Sequence, residues 1–170
     1  QAATLISENN LSSVEGALSL IADGTQPGQG TLSLDGTLSA ATNLTLASEA
    51  TLTTDQALSA AGNISLESFA NDVVVDTTIN AGADVHLSAG QGRVTMNDQI
   101  TGQHVSVNAG EIELASSGLV SGQNSVNMAA GNDVMLSGTV SAADVTVAGG
   151  AVQVDGMVSG GTIDVTGDSI

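Results

Sequence analysis

Apolar residues along this chain return in pairs two positions apart, and the pairs themselves return about every twenty residues. One set reads Leu18/Leu20, Leu44/Leu46, Ile64/Leu66, Val85/Leu87, Val105/Val107, Val126/Met128, Val145/Val147 and Ile163/Val165. From Leu44 its steps are 20, 21, 20, 21, 19 and 18 residues. A second set runs Leu32/Leu34, Leu52/Thr54, Val73/Val75, Val94/Met96, Ile112/Leu114, Val134/Leu136 and Val152/Val154. A third is made of single positions: Leu38, Leu58, Ile79, Ile100, Val120, Val140 and Val158. A spacing of two is the period of a strand, and no useful length shows the three-and-four spacing of a helix. Each repeat is therefore predicted to hold three short strands joined by tight turns. Such a unit cannot bury its own apolar side chains; it has to stack on a copy of itself. The pattern predicts an all-β parallel β-helix, or β-solenoid. It has about 20 residues and three short strands per coil, with coils about 4.8 Å apart. Seven to eight coils are expected, a shaft of roughly 35–40 Å. Each inward aliphatic contributes roughly 1.5–3 kcal/mol on full burial.

The turns fit this reading. Small residues follow the third strand, as in Ser39-Ala-Ala41, Ser59-Ala-Ala61 and Ser159-Gly-Gly161. A polar, turn-prone residue precedes most first strands (Asn43, Asn63, Asp84, His104, Ser125, Asp144 and Thr162), and such side chains bond nearby backbone groups. Two stretches depart from the period. Leu32 comes twelve positions after Leu20, where later coils step five to seven. This predicts a protruding loop at 21–31, which holds the only proline, Pro27. Before Leu18 the pattern is irregular, and Leu5, Leu11 and Val14 fit it poorly. The organisation expected is an irregular first region at 1–30 and a regular shaft at 31–170. Ile170 falls where a second strand should begin, so the shaft is expected to stop within a coil, as a piece of a longer protein would.

Composition narrows the function. The chain has 170 residues with one Phe (Phe69) and no Trp, Tyr or Cys, so its core must be aliphatic and of uniform width. Eighteen acidic residues face one basic residue, Arg93, for a net charge of −17. Phosphate binding is driven by Lys and Arg, so nucleic acid is excluded as a partner. Anionic membrane surfaces are disfavoured on the same ground. No apolar run approaches the length of a helical membrane span, so no membrane insertion is expected.

Segments such as Gly82-Ala-Asp-Val-His-Leu-Ser-Ala-Gly90 and Ala143-Asp-Val-Thr-Val-Ala-Gly149 resemble the repeats of filamentous haemagglutinin-type exoproteins. These are large secreted adhesins of Gram-negative bacteria, exported by the two-partner secretion pathway. The resemblance covers roughly residues 31–170 and rests on a degenerate motif shared with other β-helices. It implies a right-handed helix, export with an outer-membrane secretion partner, and an extracellular or cell-surface location. It also implies a part in adhesion or biofilm, on an unidentified host-surface or matrix polysaccharide or protein ligand. Rival readings are a polymerising cytoskeletal β-helix of the bactofilin type and a polysaccharide-acting β-helix enzyme.

Little in the chain suggests chemistry. Asp35, Asp55 and Asp76 follow successive second strands, so stacking would set them about 5 Å apart. A bound Ca²⁺ would relieve their repulsion, and this ladder is the one candidate metal site and Ca²⁺ the one candidate cofactor. The competing and simpler reading is a solvated acidic ladder: Asn97 and, later, Asp155 continue the column, Ala115 and Ser137 interrupt it, and the calcium-binding nonapeptide repeat is absent. His86 and His104 lie in adjacent coils but different columns, and read as two surface histidines. A sugar-cleaving enzyme needs paired carboxylates in a cleft formed by long loops. Here the turns are short and the aromatic platforms missing, so no enzyme is expected. Phe69, in a slightly longer turn, is expected to cover a gap between corners.

Overall fold

The computed structural model describes residues 4–7, 10–22, 30–34 and 36–169. These residues form 22 strands joined by turns, with no helix among them. Every strand pairs in parallel with its counterpart one coil away, as the repeated columns require. On the first face Leu44 lies beside Ile64, Ile64 beside Val85, and Val85 beside Val105. On the second, Leu52 lies beside Val73 and Val73 beside Val94. On the third, Leu38, Leu58, Ile79 and Ile100 follow one another. The protein is a β-solenoid of about six turns with roughly 20 residues per coil. That is fewer than the seven to eight expected. The second-face stack runs unbroken over six strands, from Leu52–Thr54 to Val152–Val154, while Thr31–Leu34 pairs only with Thr4–Ser7 in a separate sheet.

The irregularity before Leu18 is one of spacing and not of pairing. Leu5 lies beside Leu32, Leu11 beside Leu38 and Leu18 beside Leu44. The extra residues between Leu20 and Leu32 lengthen this coil, so a search at a fixed period of twenty misses its first strands. The extra length is also shorter than the sequence suggests. Ile21 and Ala22 continue the first strand, pairing with Ala47 and Ser48, and Thr31 opens the next. Residues 23–29, with Pro27, lie outside the described residues.

The interior is what the composition demands. Leu44, Leu46, Ile64, Leu66, Leu87, Val107 and Val147 are all fully buried, and the described core contains no aromatic side chain. Phe69 instead lies on a corner, 50% exposed. Polar side chains at the turns stitch the coils together. The Asn43 carboxamide oxygen accepts the Asn63 N–H at 2.9 Å, and that of Asn63 accepts the Asp84 N–H at 3.1 Å. Asn10 does the same for Thr37 at 2.9 Å, and Asp72 for Arg93 at 2.7 Å. The bonds thus run to the next coil rather than within the turn. This satisfies N–H groups that a corner would otherwise leave without a strand partner.

Geometry fixes glycine in two different ways. Gly90 is the only described residue in the left-handed region, at φ 44°, where a Cβ is strained. Gly118, Gly138 and Gly156 stack at the corner between the second and third faces, and a Cβ on Gly138 would overlap the Gly118 carbonyl oxygen. The corner between the third and first faces is unbroken in two coils. Strands Gln99–Ala109 and Leu119–Ala130 run from the third face straight into the first, with a register irregularity between Gly102 and His104.

Candidate functional site

Strand alternation decides what each face can present. Inward positions are nearly all aliphatic, so chemistry is left to the outward positions and the turns. The three faces differ sharply.

The second face carries the only cation. Arg93 lies beside Glu111 in the pairing register, and Glu113 points the same way two positions on. The Arg93 Nε donates to Glu111 Oε2 at 3.0 Å, and Nη1 donates to Glu113 Oε2 at 3.0 Å. The guanidinium pKa is held above its ordinary value, first by the Glu111 hydrogen bond and further by the charges of both glutamates and the Glu113 hydrogen bond, against the opposing effect of burial. The pair is about half exposed, and exposed ion pairs contribute only about 0.2–1 kcal/mol. Sequence reasoning noted Arg93 only as a count. The signal was there: Arg93 precedes Val94 as Glu111 precedes Ile112, so aligned columns bring them together.

The first face holds a shallow groove of about 420 Å³ lined by Asn63, Ser65, Asp84, His86, His104 and Ser106 among others. His86 points outward, as the alternation predicts. Although the two histidines occupy different columns, both reach this groove. The Asn124 carboxamide nitrogen lies 3.3 Å from His104 Nε2, and Ser125 Oγ lies 2.8 Å from Nδ1. With the amide donating to Nε2, the ring proton sits on Nδ1 and is donated to the serine. Both nitrogens of His104 thus have a partner in the next coil.

The acidic column follows the second face. Asp55 and Asp76 are exposed, and Asp35 lies outside the described residues. Asp76 Oδ1 accepts a hydrogen bond from the Asn97 side-chain amide at 2.5 Å, so its partner is an amide one coil along. No three His, Cys, Asp or Glu side chains come together as metal ligands among the described residues.

The third face is the plainest. Its outward middle positions run from Ser12 through Ser59, Asn80, Thr101 and Ser121 to Ser159, every one Ser, Thr or Asn. None of its strands carries a charged residue. The corresponding halves of the two long strands, Gln99–Gly102 and Leu119–Gly122, are uncharged as well.

No protein-family model, no curated protein and no solved structure matches the chain.

Proposed function

We propose that the chain is a structural repeat shaft within a large secreted bacterial adhesin or exoprotein. In this role it is a rigid spacer that supports cell-surface adhesion or contacts in a biofilm matrix, and it performs no chemistry itself. The observation that carries this reading is the unbroken run of aliphatic ladders. The same inward positions are sealed in coil after coil, so bending the rod would open several ladders at once. Outward positions carry mostly short side chains, and the grooves are shallow. The resemblance of the Gly82–Gly90 and Ala143–Gly149 segments to filamentous haemagglutinin-type repeats supports an extracellular setting and an outer-membrane secretion partner.

The test is a display fusion. An outer-membrane anchor is joined to one end of the chain and a binder of known ligand to the other. A spacer raises ligand capture at the cell surface over the same fusion lacking the chain, while the chain displayed alone captures no host cells or matrix. Capture by the chain alone would replace the spacer with a direct adhesin. Release of sugars from a polysaccharide substrate would overturn both.

A further inference from the structure

The distribution of charge around the shaft is uneven in a way that the spacer reading does not require. A molecule of net charge −17 has one face, the third, whose strands carry no ionisable group along their whole stack. Its carboxylates sit at the rims, at Asp98 before Gln99 and at Asp84 and Asp144 where the first face begins. The outward side chains at the middle of each strand are short, so a second sheet can approach closely there. They are donors and acceptors at once, as hydroxyls and carboxamides are. They also recur once per coil, so two identical rods share a common spacing and match at many points together.

We propose that the third face pairs with the third face of a second copy, giving a laterally joined dimer of shafts. Charge selects this face. Two rods of like charge repel, and any other contact would bring carboxylates together in a poorly solvated layer. Size permits it. Six coils at about 4.8 Å by some five residues at about 3.3 Å give roughly 500 Å² per copy. That is roughly 1,000 Å² in total, the lower limit for a specific interface. The dimer is therefore weak and responds to salt, because only screening removes the residual repulsion between rims and outer faces. A neutral polysaccharide is the other occupant of matching polarity. Sugar sites usually supply aromatic platforms, and the described third face has none.

The chain lacks cysteine, which makes single-cysteine variants clean reporters. The experiment measures sedimentation of the 170-residue chain at tens to hundreds of micromolar, in low salt and in 0.3 M NaCl, with and without EDTA. A dimer that grows with salt and ignores the chelator is expected. Ser121→Asp should abolish it while leaving the melting temperature of the monomer unchanged. Thr101→Cys lies near the middle of the face and meets its own copy in either rod orientation. It should cross-link with a short bismaleimide, whereas Thr95→Cys on the second face should not. A monomer at every concentration and salt overturns the proposal, as does equal cross-linking at both positions. A dimer lost in EDTA would mean cation-bridged acidic faces instead. A monomer retained on a neutral polysaccharide gel, and released by Ser121→Asp, would assign the face to a glycan. None of these outcomes depends on whether the shaft is secreted.

Discussion

Thr54 sits in the second column with 1% exposure, between coils whose equivalent positions carry only carbon and sulfur, such as Val75 and Met96. Its hydroxyl has no hydrogen-bond partner among the described residues. A buried hydroxyl without a partner costs about 1–3 kcal/mol, and valine has nearly the same shape. Thr54→Val is therefore expected to stabilise the protein by about 1 kcal/mol, read as a higher midpoint in urea by circular dichroism. Gly138 makes the opposite case. Gly138→Ala has to push its Cβ against the Gly118 carbonyl, backbone that cannot rotate away, and a loss of about 2–3 kcal/mol is expected in the same assay. The column position of Thr54 was legible from its spacing after Leu52, but its lack of a partner was not, since that depends on the neighbouring coils. Gly138 is part of the same limit. A small residue at a corner was foreseeable, but which glycine has no room for a methyl depends on how closely two corners approach.

Strand pairs make one kind of contact along the axis, and that makes an element's weight predictable. Leu87 is fully buried between Leu66 and Val107. Leu87→Ala is expected to cost about 2–5 kcal/mol, since a cavity opens between two ladders that cannot collapse independently. Gln123, exposed at the bend of a long strand, should tolerate alanine within about 0.5 kcal/mol. A urea series of both variants, with a Leu87→Ala loss below that of Gln123→Ala, would refute the ladder account. Most of this architecture could be read from the chain, because spacing of two and a period near twenty name strands, inward sides and pairing partners together. The first coil escaped because its extra residues shift Leu5 and Leu11 out of phase with the period. The His86–His104 groove escaped for a different reason. Columns predict neighbours along the axis, whereas the groove joins positions from different columns across a face.

At the scale of the whole molecule, each coil depends only on the two that flank it. Val145, covered on both sides, is 1% exposed; its column partner Ile163 in the last described first-face strand is 47% exposed. Hydrogen exchange is therefore expected to be slowest in the central coils and to quicken toward both ends. The excess of carboxylates acts on the rod as a whole. Their mutual repulsion should be relieved by any salt, so the melting temperature is expected to rise between 10 and 300 mM NaCl. Calcium should add nothing at matched ionic strength, because the nearest described carboxylate column is interrupted by Asn97, which already holds Asp76. A melt raised by millimolar calcium alone would instead support the cation ladder at Asp35, Asp55 and Asp76. The matched registers also set a rule of inheritance for the chain. Removing Ile79 to Gln99 joins Thr78 to Ile100, the residue that already follows Ile79 in its column, so every surviving ladder closes again. The shortened protein should fold and melt cooperatively, whereas a deletion of ten residues from the same place should not. Length in such a gene can drift by duplication or loss of whole coils with little penalty, and by single extra residues only between strands, as between Ala22 and Thr31. Its reading frame thus has a second, coarser unit of about twenty codons.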